Sequence, residues 1–460
     1  MGDHRRFTRF IFVFLLVVFL LVLASGNAVA QTQKPFVLLV SIDGLRPDNV
    51  FRADELGLKI PNLRHFLVDG TYATGVTGVL PTVTYPSHTT LLTGVAPAVH
   101  GIVANTTFDP LNKNYGGWYW YAEDIKAPTL WDYAAKSNIS TASVYWPVSV
   151  GANITYNISQ IWRAGTDDDR KLQRSVSTPG LLEGLEKEMA IPFPVGSDES
   201  IEADEQRARF AEVLLREKHP GFMTVYLTAL DHIEHETGPF SKESLAVLER
   251  LDAVVGTMRE DAEARGPAVI CVVSDHGFAR TDKELNLNSA LQQTGLIELN
   301  PDGSVKSWRA SAWLAGGSAA IMLKDPADNE ARVKVRRLLD QMLADPAGGI
   351  ARVLDPAEFN AAGFAGATFV VGLKLGYQLG PKMDGPPVVA RKIGGMHGYL
   401  PENPEMQSSF FLVGPGVQRG VSLGTIDMRD IAPTLAEFLG FSLNTKGRSL
   451  VHQTASISAR

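Results

Sequence analysis

Three short apolar runs, each of strand length and each ending at an aspartate, limit what this chain can build. Phe36–Ile42 ends at Asp43-Gly44, Phe222–Leu230 at Asp231, and Ala268–Ser274 at Asp275. A run that is apolar at nearly every position, not every second one, predicts a strand covered on both faces, the habit of parallel sheets. Patterns of helical period lie between the runs, over Glu202–Lys218 and Leu245–Arg265 for example. Alternation of this kind predicts an α/β fold with a mostly parallel central sheet and helices on both faces. Such sheets bind ligands beyond the carboxyl ends of their strands, where all three Asp residues are expected to sit.

Two stretches break the alternation. Residues 108–195 carry Trp118-Tyr119-Trp120, Trp146-Pro147 and Trp162-Arg163, and are expected to form an inserted aromatic-rich cap facing a substrate. Residues 281–393 hold Gly, Pro and shorter runs such as Ala319–Leu323, and are expected to form a second insertion. Asp430–Gly440 reads as an amphipathic helix stopped by its glycine. The expected organisation is one catalytic domain over 31–455 with these two insertions.

Residues 1–30 read separately. Arg5, Arg6 and Arg9 precede an apolar run from Ile11 to Leu23, and Ala28-Val29-Ala30 places small residues at a cleavage position. This predicts a secretory signal peptide. The run is shorter than the roughly 20 residues that span a bilayer, so no stable membrane span is expected after cleavage. The single Cys271 precludes an intramolecular disulfide, and export without disulfides points to a bacterial periplasm or to secretion. On that reading the sequons at Asn105, Asn138, Asn153 and Asn157 are chance matches. The formal charge is −7, and the leader's three Arg and one Asp carry +2, so its removal leaves −9. An acidic exported protein is poorly suited to nonspecific nucleic-acid binding, which draws most of its affinity from basic patches, and no specific nucleic-acid binding is expected. A phosphate-bearing substrate would need a local positive centre, such as metal ions supply.

Several residues could build one. Asp275-His276-Gly277 follows a strand directly; where the chain turns, both side chains can reach one ion, with Gly277 relieving backbone strain. Asp231 and His235, four apart, share one helical face. His397 has glycines at 394, 395 and 398, where the backbone can approach closely. Thr84 lies in Leu80-Pro81-Thr82-Val83-Thr84-Tyr85-Pro86-Ser87-His88; Pro86 suits the first turn of a helix that runs to Thr93 and ends at Gly94. Thr84 is thus placed at a helix N-terminus, where N–H groups and the dipole favour negative charge. Taken singly, these residues could equally be a capped turn, a solvated loop, a turn histidine and an N-cap threonine. Jointly, three carboxylates, three imidazoles and a hydroxyl match two divalent cations and an activated nucleophile.

In this order the motifs resemble the nucleotide pyrophosphatase/phosphodiesterase (type I phosphodiesterase) family of the alkaline phosphatase superfamily. The resemblance runs from Asp43-Gly44 through Thr84–His88, Thr93-Gly94, His100–Asn105, Asp231-x-x-x-His235 and Asp275-His276-Gly277 to His397-Gly398. It implies an alkaline-phosphatase-like fold and two Zn²⁺ ions, one held by Asp231, His235 and His397, the other by Asp43, Asp275 and His276. Thr84 would be both a ligand of the second ion and the nucleophile. Asn105 would steady a nonbridging phosphoryl oxygen. Family members commonly have Phe-Pro-Asn-His after the nucleophile; here Tyr85-Pro86-Ser87-His88 follows, and the Tyr85 ring is expected to stack on a base or aryl group. Two Zn²⁺ and three carboxylates leave about +1 to meet a singly charged diester, with ions about 4 Å apart able to bind attacking and leaving oxygens.

The implied activity is hydrolysis of small nucleotide-like phosphodiesters or pyrophosphates through a phosphothreonine intermediate. A phosphomonoesterase or a phospholipid- or glycerophosphodiester-cleaving enzyme of the same superfamily is the alternative, and a non-catalytic ligand-binding protein a further one. A monoesterase would favour an added cationic clamp near Thr84, and no Arg lies between Leu80 and Asn105. A silent binding protein would tolerate loss of a metal ligand, and all six are present.

Overall fold

The fully apolar runs form the middle of the central sheet. The computed structural model describes residues 34–114, 117–163, 166–364 and 366–451; the expected leader over 1–30 lies outside them. The sheet consists of β1 (Phe36–Ile42), β2 (Thr71–Tyr72), β3 (Thr141–Val144), β4 (Tyr156–Ile158), β5 (Phe222–Leu227), β6 (Ala268–Val273), β7 (Phe410–Val413) and β8 (Val421–Ser422). Their spatial order is β8-β2-β7-β6-β1-β5-β3-β4. The five strands from β6 to β4 are parallel, and β7 runs against both its neighbours. Every residue of β1, β5 and β6 is buried. Full burial of each Val, Leu or Ile contributes on the order of 1.5–3 kcal/mol, so the sheet's centre carries much of the core.

Five helices matter here: α1 (Thr84–Thr93), α2 (Ile201–Lys218), α3 (Ala229–Thr237), α4 (Lys242–Ala264) and α5 (Ile431–Leu439). Helices α2 and α4 pack on each other, and α4 lies against β1 and β6; α1 and α5 form a second pair, with α5 against β1. The two pairs cover the two faces of the sheet. Helix α4 starts three residues before the expected Leu245 because Ser241 accepts the Ser244 N–H at 3.0 Å and caps it there. Helices α1 and α5 stop where expected, at Gly94 (φ 69°) and Gly440 (φ 80°), both in the left-handed conformation open to glycine. The strand expected to reach Leu230 ends at Leu227. Asp231 therefore stands on the first turn of α3 instead of at a strand end.

The two stretches that break the alternation behave differently. Residues 108–195 supply β3 and β4 to one edge of the main sheet as well as the aromatic side chains expected of a cap. After β6 the chain builds a second layer with its own apolar core. Its four-stranded antiparallel sheet has the order Ala310–Ala315, Ser318–Leu323, Phe369–Leu373, Ile350–Leu354. A three-stranded sheet sets Ala279–Leu285 between Gly376–Leu379 and Val388–Met396. The register of its antiparallel pair places Met396 opposite Ala279. His397 is thereby returned to the turn that carries Asp275 and His276. Among the described residues no helix is long and apolar enough to cross a membrane.

Candidate metal and active site

The seven predicted ligands are delivered by five elements. Asp43 follows β1, Asp275 and His276 follow β6, Asp231 and His235 project from α3, His397 follows the strand Val388–Met396, and Thr84 opens α1. Glycine makes the convergence possible. A Cβ at Gly395 would lie 2.6 Å from the Glu234 carbonyl oxygen, so α3 rests on that strand only because a side chain is missing. Gly277 has the same role. It does not relieve a strained φ, as expected from sequence; an added Cβ there would collide with the Glu405 and Gln407 carbonyl oxygens.

The three imidazoles share one arrangement. His235, His276 and His397 place Nδ1 at 3.2, 3.2 and 3.3 Å from the carbonyl oxygens of Gly395, Gly277 and Thr82. A carbonyl only accepts, so each Nδ1 carries the proton and each Nε2 turns a lone pair into the site. There His276 Nε2 lies 3.1 Å from Asp275 Oδ2 and 3.3 Å from Asp43 Oδ1. His235 Nε2 lies 3.3 Å from Asp231 Oδ2, and His397 Nε2 3.7 Å from Asp231 Oδ1. Asp43 Oδ1, Asp231 Oδ1 and Asp275 Oδ2 are buried without a hydrogen-bond partner. Lone pairs facing lone pairs in a buried space are unfavourable until a cation lies between them. The donor set of carboxylate oxygens and imidazole nitrogens suits zinc.

The electrostatics agree. Burial pushes Asp275 up to about 7, and burial with the charges of Asp231 and Asp275 holds Asp43 well above its ordinary value. Burial also works to raise Asp231, but His235, His397 and His276 outweigh it and hold its carboxyl low. Burial lowers His397 to about 4; burial, reinforced by His397, drives His276 well below its usual value.

Two sets of ligand atoms lie within 4.8 Å of one another: Asp43, Asp275 and His276, and Asp231, His276 and His397. The first is the set expected from sequence. In the second, His276 stands beside Asp231 and His397, while His235, the most exposed of the three imidazoles, reaches the other oxygen of Asp231. Thr84 Oγ1 lies 3.5 Å from His276 Nε2. Asn105 Oδ1 accepts the Tyr85 N–H at 2.9 Å, which fixes the amide beside the first turn of α1. Tyr85, expected to face a substrate, is fully buried. Its ring packs on Trp118 with centroids 5.3 Å apart, and Trp118 in turn meets Trp162 at 5.4 Å.

Supporting residues escaped the sequence reading. The Tyr226 hydroxyl donates to Asp43 Oδ2. His88 donates from Nδ1 to the Thr84 carbonyl at 2.8 Å and accepts the Ser41 hydroxyl at Nε2 at 2.9 Å; burial lowers it to about 3, so it stays neutral. The Ser274 hydroxyl donates to the His276 carbonyl at 2.8 Å, and the Gly44 N–H lies 3.3 Å from Asp275 Oδ1. The available signal was strand register: Ser41 pairs with Tyr226 on β5, which puts both under the end of β1.

Comparison with known proteins bears on this constellation. Residues 37–400 match the protein-family model for type I phosphodiesterase / nucleotide pyrophosphatase. A Schizosaccharomyces pombe protein described as an uncharacterized pyrophosphatase/phosphodiesterase is 27% identical over 282 residues, 59% of this chain and 50% of its own length. Human bis(5'-adenosyl)-triphosphatase ENPP4 is 26% identical over 295 residues, 60% of this chain and 55% of its own. The chain thus spans about half the length of these curated relatives. Human ectonucleotide pyrophosphatase/phosphodiesterase 5 superposes with a TM-score of 0.64 at 20% identity, over 90% of this chain and 97% of that one. The murine protein, solved as an inactive threonine-to-alanine variant in complex with AMP, gives 0.64 at 21% identity with the same coverage. These likenesses identify the fold as alkaline-phosphatase-like. With its family model spanning most of the sequence, the chain belongs to the type I phosphodiesterase/nucleotide pyrophosphatase family of the alkaline phosphatase superfamily.

Proposed function

We propose that this protein is an exported, zinc-dependent hydrolase of small nucleotide-like phosphodiesters and pyrophosphates, with Thr84 as its nucleophile and residues 31–455 as its catalytic domain. The observation that carries this reading is the pair of Nε2 lone pairs, of His276 and His397, turned toward the orphaned oxygens of Asp43, Asp275 and Asp231 beside the Thr84 hydroxyl, with His235 on the other oxygen of Asp231. Asp231, His235 and His397 would hold one zinc, and Asp43, Asp275, His276 and Thr84 the other. Two bound zinc ions would supply positive charge against the anionic phosphoryl oxygens and the departing oxygen.

The chain's own groups supply the rest. Thr84 Oγ1 forms the bond to phosphorus as the bond to the leaving alkoxide or phosphate breaks, and the threonine proton ends on that departing oxygen or in solvent. Thr84 is left esterified to the remaining phosphoryl portion, which water then releases. The N-terminus of α1 favours the negative charge that gathers there. Because Asn105 commits Oδ1 to the Tyr85 N–H, its Nδ2 is left to donate to a nonbridging oxygen. Buried Tyr85 would serve as the floor beneath Trp118, which is partly exposed and would offer the ring face for a base or aryl group. The nucleotide preference is supported by relatives whose names specify a diadenosine triphosphatase and an AMP complex. Export rests on the apolar run and cleavage pattern of residues 1–30.

The test is turnover of bis-p-nitrophenyl phosphate beside p-nitrophenyl phosphate, with and without chelator. The diester is expected to be preferred and chelation to abolish its hydrolysis. A strong monoester preference overturns the diesterase assignment, and chelator-insensitive turnover overturns the metal assignment.

A further inference from the structure

Asp204 and Arg207, both on α2, are fully buried and have no place in the ligand set. Asp204 Oδ2 accepts the Thr228 and Ala229 N–H groups, each at 2.7 Å. These are the donors that open α3, whose N-cap Thr228 makes no side-chain cap of its own. Asp231 is the third residue of that helix and His235 stands one turn on. A carboxylate bound to two adjacent N–H groups sets the rotation of the first turn as well as its start.

Arg207 holds that carboxylate. Its Nη1 donates to Asp204 Oδ1 at 2.8 Å and to Thr228 Oγ1 at 3.2 Å, and its Nη2 to the Asp198 carbonyl. The guanidinium carbon lies 4.0 Å from the centroid of the Tyr145 ring. Tyr145 in turn stacks on Tyr226, centroids 6.2 Å apart and planes at 13°, and Tyr226 donates to Asp43. Tyr145 has φ 65°, a left-handed conformation that strains a non-glycine residue and persists only where packing imposes it. One continuous set of contacts thus joins the start of the Asp231 helix to Asp43 on the other side of the centre. A buried ion pair is weak grounds for stability, because apolar replacements of similar volume often fold as well. Its effect on geometry is separate.

We propose that Asp204, clamped by Arg207, is a positioning residue that fixes the first turn of α3 so that Asp231 and His235 face the candidate centre. It acts through Asp231 and touches neither substrate nor ion. The proposal rests on the zinc hydrolase reading above.

The test compares wild type with Asp204→Asn, Asp204→Ala and the double variant Asp204→Leu/Arg207→Met, which strands no buried charge. Three measurements are made: zinc affinity by chelator competition, hydrogen exchange of segment 228–237 in metal-free protein, and steady-state kinetics (kcat and KM) on bis-p-nitrophenyl phosphate. The double variant is expected to fold, to lose about 10–100-fold in zinc affinity and kcat with little change in KM, and to exchange faster in 228–237. Asp204→Asn, which keeps an oxygen acceptor, is expected to recover part of what Asp204→Ala loses. A double variant within twofold of wild type in both zinc affinity and kcat overturns the proposal. Should the double variant not fold, equal zinc affinity and equal exchange in the Asn and Ala variants overturn it, and a weaker, faster-exchanging Ala variant supports it. Wild type without zinc or diester turnover would instead remove the hydrolase reading, and exchange in the metal-free protein would still decide whether Asp204 holds the helix start.

Discussion

The His276 imidazole lies on that of His397, with ring centroids 3.7 Å apart and planes inclined by only 10°. The two rings turn Nε2 toward different carboxylates, His276 to Asp43 and Asp275, His397 to Asp231. Two imidazolium ions stacked in a buried space would repel, and burial already opposes charging either ring. Both are therefore neutral from mild acid upward, with His397 lowered to about 4 and His276 well below its usual value.

This arrangement fixes the sign of a pH effect on metal-free protein. A carboxyl whose folded pKa is raised contributes stability that is fully present below its unfolded value and lost as pH rises through the folded one. Asp275, pushed up to about 7 by burial, and Asp43, raised by burial and its acidic neighbours, behave this way. Burial lowers His235, but Asp231 outweighs it and leaves the group raised, so it acts in the same direction above 6.5. The depressed imidazoles of His276 and His397 act oppositely, with stability present above their ordinary 6.5 and lost as pH falls toward the folded values. Between about pH 6.5 and just above the Asp275 value of about 7 the groups with raised values dominate. Chelator-treated protein is expected to show a falling Tm across that window, and zinc to restore more at the upper end. Calorimetry at both ends of the window checks this, and a flat or rising Tm after chelation contradicts it.

Tyr226→Phe deletes one oxygen and leaves the ring stack with Tyr145 in place. The hydroxyl's donation to Asp43 Oδ2 is what it removes. Partners that orient a ligand are commonly worth about 10–100-fold in metal affinity or activity. The variant is expected to lose zinc affinity within that range, with Tm nearly unchanged. Chelator competition measures it, and an affinity equal to wild type would show that the hydroxyl does not orient Asp43.

How much of this was legible in the sequence depends on where each residue's partner lies. Asp43, Asp275 and His276 could be placed because each directly follows an apolar run, and the run alone dictates a buried strand. Asp231 was legible as a helical partner of His235 but not as a helix residue beyond its strand. The start of α3 is set by Asp204, which lies on another helix, and no local pattern records that contact. His397 depended on the register of Met396 against Ala279, which only the assembled sheet defines. The Tyr85 ring reads as substrate-facing from its place after Thr84, yet Trp118 closes over it from a separate loop.

Asn105 holds a backbone N–H with one atom and offers another outward, so two substitutions separate its roles. Asn105→Ala removes both and is expected to lower kcat/KM by about 10²–10³-fold, the range seen when one donor to a developing oxyanion is lost. Asn105→Asp keeps an acceptor for the Tyr85 N–H but sets a negative charge against an anionic substrate. Its loss should be at least as large, with zinc affinity unchanged in both. Steady-state kinetics on a diester decides the matter, and an Asp variant matching wild type would mean that Nδ2 makes no contact with the phosphoryl group.

Thr84 separates holding the centre together from doing the chemistry. Its hydroxyl lies at the edge of the Asp43, Asp275 and His276 group, whose ligand atoms remain when it is cut back to alanine. Thr84→Ala is expected to keep zinc to within a small factor while turnover falls by at least about 10³-fold, as losing a nucleophile does where its partners act as a unit. Thr84→Ser restores the oxygen without the methyl group that limits its rotamers, and is expected to recover a measurable part of the rate. Zinc titration and single-turnover kinetics on the same preparations separate these effects. An alanine variant that kept its zinc and turned over near the wild-type rate would leave the hydroxyl without a catalytic role and shift the search to water as the attacking group.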